Sequence, residues 1–185
     1  WINITKDEQS LVDNSLLAQL NGKREIYAAT MSCTNLCYSN ERVRKKMALS
    51  ITDYAKNHKE VDYLHIWLAD SANNFCECEE CQKKRLSDWY VILMNKIDEE
   101  FTKANLDTKI VFLCYNDLLY PPKEARINNE DRFYLMFAPI ERLFETNFNE
   151  VKELPELPLY EHNKMRSPHD VALSLSYLKG WTDVF

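Results

Sequence analysis

Apolar residues recur at helical spacing over Glu41–Asn57, where Val43, Met47, Ile51 and Tyr54 define one face. Ser39 or Asn40 stands where that helix needs its N-cap. A longer helix is expected after Ser87, with Trp89, Leu93, Ile97 and Phe101 on one face. Between them Val61–Leu68 is apolar and aromatic on both faces, the pattern of a buried parallel strand. Ile26–Met31, Lys109–Tyr115 and Arg132–Ala138 read as further strands. Ser167-Pro168-His169-Asp170 opens a last helix with a cap, a proline at the first position and an acid in the first turn. Gly180 is its expected stop, and Trp181–Phe185 the start of a fifth strand. Lys6–Leu20 has room for a helical turn or two, and Leu154–Pro158 is a proline-marked loop. The stretch from Tyr115 to Arg132, with Pro121-Pro122, lacks a long helix.

Alternation of strand and helix predicts an α/β domain with parallel strands. A complete eight-stranded barrel needs about 250 residues. Four strands and a fifth begun leave two architectures, a fragment of a barrel or a smaller open α/β sheet. An incomplete barrel would leave two unpaired strand edges, which favours a homodimer.

With 45% hydrophobic residues, the 185-residue chain suits one domain. The net charge of -6 comes without any basic stripe, so nucleic acid and anionic membrane are not expected partners. No apolar run approaches the ~20 residues that span a bilayer. There is no secretory signal, but Trp1 is not an initiator residue, so the compartment stays open. Gly22 and Gly180 are the only glycines, which excludes a phosphate-cradling glycine loop.

The sharpest chemical signal is Cys76-Glu77-Cys78-Glu79-Glu80-Cys81. Three cysteines so close can hold zinc if a fourth ligand comes from elsewhere, and Cys37 or Cys33 follows the preceding strand. A disulfide pair or free thiols are the rival readings. Cys114, inside a strand, reads as a small buried apolar residue. Three strand ends carry acids: Asp70, then Tyr115-Asn116-Asp117, then Pro139-Ile140-Glu141-Arg142. Parallel α/β sheets gather their sites at that rim, and glycoside cleavage needs two carboxyls there in different protonation states. Such acids also cap helices or pair with surface lysines. Tyr115, Tyr120, Trp89 and Trp181 are candidates for stacking on sugar rings, although Trp89 fits its helix's buried face. His65 reads as a core histidine.

Several segments carry a resemblance. They are Asn35-Leu36-Cys37-Tyr38-Ser39-Asn40-Glu41-Arg42-Val43; Asp70-Ser71-Ala72-Asn73-Asn74-Phe75 leading into the cysteines; Ser87-Asp88-Trp89-Tyr90; Asp107-Thr108-Lys109-Ile110-Val111-Phe112; Tyr115-Asn116-Asp117-Leu118-Leu119-Tyr120-Pro121-Pro122; and Phe137-Ala138-Pro139-Ile140-Glu141-Arg142. In this order they resemble the bacterial family named domain of unknown function 4838, from about Asn21 to the end. That family is similar to barrel glycoside hydrolases such as hexosaminidases and alpha-glucuronidases. The resemblance implies part of a (β/α)8 TIM-type barrel: residues 1–185 as a single domain, a fragment of a larger barrel. It also implies a glycan substrate and an exported protein. Asp70, Tyr115, Arg142, Cys37, Cys76, Cys78 and Cys81 fall on its motif positions, whereas Glu141 stands where the family is more often uncharged. The function expected is glycoside hydrolysis, with Asp70 the leading acid or base and Asp117 and Glu141 after it. Tyr115, Asn116 and Arg142 would contact substrate, and a structural zinc would stiffen the loop after Asp70. The alternatives are a non-catalytic glycan-binding module or a structural domain built on the cysteine loop.

Overall fold

The structure is a computed structural model that describes residues 12–185. Its centre is a three-stranded parallel sheet in the order β3-β4-β5 (Tyr63–Ile66, Lys109–Cys114, Phe133–Phe137). Ile66 pairs with Phe112, and Phe112 with Leu135, so alternate residues line one face. That face meets α1 (Glu41–Asn57) and α3 (Leu86–Lys103), burying Ile66, Ile110, Phe112 and Phe133 among Tyr90, Leu93, Ile97 and Phe101. The other face leaves Tyr63, Trp67, Tyr134 and Met136 exposed among the described residues.

Asn40 caps α1 through the Arg42 amide, as the sequence reading expects. The buried face is turned by about one residue, onto Val43, Ala48, Thr52 and Ala55, while Tyr54 lies outside and stacks on His58. Two alanines let α3 come close, which the larger neighbours would prevent. Helix α3 starts at Leu86, one residue before Ser87. Asp88 explains the start, because its carboxylate accepts from the Arg85 amide at the helix entry. Ser87 is buried instead, with its hydroxyl unpartnered.

The partial (β/α)8 TIM-type barrel is not what forms. Among the described residues there are three parallel strands, a separate antiparallel pair and four helices, and no eight-stranded barrel. Three local reasons account for the difference. Ile26–Met31 is not a strand: Tyr27–Ala29 and Met31–Cys33 are 3₁₀ turns, with Ala28 and Ala29 at φ 48° and 54°. The Thr34 hydroxyl accepts from the Tyr27 amide and donates to the Thr30 carbonyl, so a side chain meets needs that a sheet ladder would have met. Trp181 lies inside α4 (Val171–Thr182), fully buried, with Nε1 donating to the Leu118 and Leu119 carbonyls. Gly180 is within that helix rather than at its end, and a Cβ there would stand 2.8 Å from Pro121 Cγ, so the close approach to Pro121 calls for a glycine. Finally, the crossover from β4 to β5 holds 3₁₀ turns and coil rather than a helix.

Of the helical turns expected over Lys6–Leu20, Asn14–Leu16 forms a single 3₁₀ turn, and the part before residue 12 lies outside the described residues. A two-residue hairpin follows, β1 (Gln19–Leu20) and β2 (Lys23–Arg24), turning on Asn21 and Gly22, both at positive φ. Cys78 begins the short helix α2 (Glu79–Gln82).

Candidate functional site

Four cysteines from two distant stretches meet beside the hairpin. An isolated bridge between Leu17 and Leu36 sets the first stretch, with the Cys37 amide donating to the Leu16 carbonyl. The second stretch is fixed by β1: the Glu77 amide donates to the Gln19 carbonyl, and the Asn21 amide to the Glu77 carboxylate. Cys78 then sits at the N-cap of α2 and Cys81 inside it. The sulfurs of Cys37, Cys76, Cys78 and Cys81 all lie within 4.8 Å of one another. Cys37 Sγ is 3.7 Å from Cys78 Sγ and 3.8 Å from Cys81 Sγ. A tetrahedron with metal–sulfur bonds of ~2.3 Å has edges of roughly 3.8 Å, so the two Cys37 distances and the 4.8 Å limit for the group are compatible with four thiolates around one metal ion. Three of the four are buried and Cys78 is half-buried, and all six cysteines are free thiols.

Two donors reach Cys76, although neighbouring Cys37 raises its thiol above the ordinary value. The Gln19 amide donates to Cys76 Sγ at 3.3 Å, and Arg24 Nη1 lies 3.8 Å from the same sulfur. Burial works against the Arg24 charge, yet Cys37, Cys76 and Cys78 hold the guanidinium above its ordinary value. Among themselves the thiols divide protons unevenly. Hydrogen bonds from Cys76 and Cys81 push Cys37 far below the usual thiol range, and Cys81 is pushed far above it by Cys37 and Cys76. Cys33, the other fourth-ligand candidate, lies outside this group, and its carbonyl accepts from Asn74. Cys114 is buried in β4, and desolvation raises its thiol well above its ordinary value.

Asparagine side chains carry this order from the cysteines to the strand ends. Asn163 brackets Phe75, accepting from its amide and donating to its carbonyl. Asn73 does the same for Met165. Asn35 donates to buried Asn74. Residues 73–75 of the loop between Asp70 and Cys76 are thus held by side-chain amides, at the carboxyl end of β3.

At that rim the Tyr115 hydroxyl donates to Asp70 Oδ1 at 2.8 Å, which joins two of the expected site residues across neighbouring strand ends. Burial, with Asp70 behind it, raises the Tyr115 hydroxyl above its ordinary value. Asp117 is 5% exposed and accepts from the Asn73 amide, and desolvation raises its carboxyl. Asn116 is buried at φ 49°. Glu141 lies elsewhere, exposed, with its carbonyl bound to the His169 ring. Arg142 stacks on Phe144 at 4.1 Å and Phe148 at 4.5 Å. The structure therefore joins Asp70 to Tyr115 by contact, uses Asp117 as a loop anchor, and engages Glu141 and Arg142 with residues 144–169.

Of the aromatic stacking candidates, Trp181 and Tyr120 are buried, and Trp89 is half-buried with Nε1 bonded to the Cys81 carbonyl. His65 is exposed rather than core, edge-on to exposed Trp67 at 5.8 Å. Sequence reasoning missed Arg24, Ser39, Asn73 and Asn163. Ser39 Oγ is 3.0 Å from Cys81 Sγ. The Asn21-Gly22 pair was the available signal for the hairpin that carries Arg24. Two surface concavities, one lined by Glu41, Arg44, Asn95 and Lys96, the other by Lys59, Asp62, Tyr63 and Lys109, include none of the rim residues.

Comparison with known proteins gives a family match: the description Domain of unknown function (DUF4838) covers residues 15–166, most of the chain. No curated protein and no solved structure matches.

Proposed function

The chain belongs to the DUF4838 family, and from that premise we propose that it is a carbohydrate-recognising domain whose binding rim is stiffened by a structural zinc ion. Four thiolates are a soft, closed donor set, suited to zinc, and leave no open position for a reacting water. Zinc's work here is to hold the loop that begins at Asp70. The Asp70–Tyr115 hydrogen bond at the ends of adjacent parallel strands carries the rest of the reading. A carboxylate and a phenol side by side offer acceptors and a donor to sugar hydroxyls. Exposed Trp67, at the end of β3, supplies an apolar surface for a ring face. The net charge of -6 suits a neutral ligand better than an anionic one. We place this work outside the cytoplasm, where complex glycans are met.

Glycoside hydrolysis is the second reading, favoured by the raised Asp117 carboxyl within the same rim loop system. Two experiments separate them. The zinc-loaded protein is probed on an array of plant and host oligosaccharides, beside Asp70→Asn and Tyr115→Phe. Bound glycans are then incubated with the protein and their products read by mass spectrometry. The binding reading expects retention of at least one glycan, lost by about tenfold or more in both variants, with no cleavage. Cleavage abolished by Asp70→Asn would establish hydrolysis instead. Equal retention by wild type and both variants would remove the rim from the function.

A further inference from the structure

We propose that Arg24 is the locking residue of the metal centre: its guanidinium, presented by the β1–β2 hairpin, balances thiolate charge at Cys76 and slows metal loss. This rests on the zinc reading above. Four thiolates around one divalent ion carry a net charge of about minus two, in a site where three of the four sulfurs are buried. Uncompensated charge in such surroundings is costly. Among the described residues, Arg24 is the cationic side chain in hydrogen-bond contact with a cluster sulfur, at 3.8 Å from Cys76. The nearby acids add to the negative charge. Glu77 is held by Asn21 and Asn163, and Glu79 and Glu80 are exposed on α2.

The geometry makes Arg24 a fastening as well as a counter-charge. Its Nη1 also donates to the Leu17 carbonyl, inside the segment that bridges to Leu36, one residue before Cys37. One guanidinium therefore ties β2 directly to the Cys76 stretch and, through Leu17 and its bridge to Leu36, indirectly to the Cys37 stretch. The hairpin has two residue pairs, too few to persist alone in water. What holds it over the sulfurs is the Glu77–Gln19 and Asn21–Glu77 bonds, the Gln19 amide on Cys76, and Arg24. A hairpin seated on the sulfurs restricts their opening toward solvent and toward a competing ligand. Groups bonded to ligating atoms commonly govern metal retention by about 10- to 100-fold.

The test uses the full chain loaded with zinc, and follows metal transfer to the chromogenic chelator 4-(2-pyridylazo)resorcinol. Arg24→Met keeps the length and apolar stem but removes the charge, whereas Arg24→Lys keeps charge without the planar fork. Arg24→Met is expected to release zinc about tenfold faster or more, with Arg24→Lys in between. Cobalt loading checks the ligand set: all three proteins should show the same sulfur-to-cobalt charge-transfer band, so that faster release reports a lost lock and not a lost ligand. Release at the wild-type rate from both variants, with the band intact, would overturn the proposal. So would an altered band in Arg24→Lys, which would make Arg24 a requirement for forming the site. A wild-type protein that takes up neither zinc nor cobalt would instead overturn the metal reading, and this inference with it.

Discussion

Asp117 shows how one residue divides structural from chemical roles. A buried carboxylate beside strand ends invites a catalytic reading, but its Oδ2 already accepts from Asn73, whose left-handed backbone (φ 56°) starts the turn toward the cysteines. Desolvation raises its pKa above the ordinary 3.8, so the folded state holds this proton more tightly than the unfolded chain. Its contribution is therefore most favourable at pH below 3.8 and declines as pH rises from there through the raised folded value, then levels off. Asp117→Asn keeps an acceptor for the Asn73 amide and removes the titration. Urea unfolding of this variant from pH 4 to 8 should give a flatter profile, with stability at pH 7 within about 1 kcal/mol of wild type or above it. Asp117→Ala leaves the amide unsatisfied and should lose about 1–3 kcal/mol. Position after a strand marked Asp117 in the sequence. Its partner did not show there, because an asparagine in a loop gives no sign of which backbone group it will meet.

Among the elements, α1 was legible because cap, first-turn acid and helical periodicity agree across its 17 residues. Even so, its buried face is turned by about one residue, since Ala48 and Ala55 contribute close approach rather than hydrophobicity. Strands β3, β4 and β5 were legible as parallel apolar runs, but β3 is not buried on both faces as expected: Tyr63, His65 and Trp67 are exposed. Ile26–Met31 had strand composition, but Thr34 supplied local hydrogen bonds that outcompete pairing. Gly180 follows the same logic: a glycine signals a helix end unless a neighbour needs the space, and Pro121 does. Tyr90 was read only as part of a motif. Its hydroxyl donates to the Ile66 carbonyl and accepts from the Leu113 amide, standing between β3 and β4 where their ladder ends. Tyr90→Phe leaves both buried backbone groups unsatisfied, and should lower unfolding stability by about 2–4 kcal/mol. A loss below about 0.5 kcal/mol in chemical denaturation would mean that the strands simply re-pair there.

Across the molecule, the cysteine centre joins parts that the sheet leaves separate. The hairpin, the segment through Cys37 and the loop from Asp70 to Cys81 have little hydrophobic core of their own, and Ala18 with three cysteines makes up their buried cluster. A metal held by the four sulfurs would cross-link them, and Asn73 and Asn163 tie the loop between Asp70 and Cys76 to residues 163–165. The cluster Cys76–Cys81 was plain in the sequence, and Cys37 stood as one of two choices for the fourth ligand. Only the bridge of Leu17 to Leu36 decides between them, and it pairs residues with no shared motif. A stiffened rim requires those four sulfurs to bind one ion. X-ray absorption at the zinc edge of the metal-loaded protein measures this directly. One zinc per chain is expected, in a single shell of four sulfurs at about 2.3 Å. A shell containing nitrogen or oxygen, or a protein that takes up no zinc after full reduction of its thiols, would contradict it.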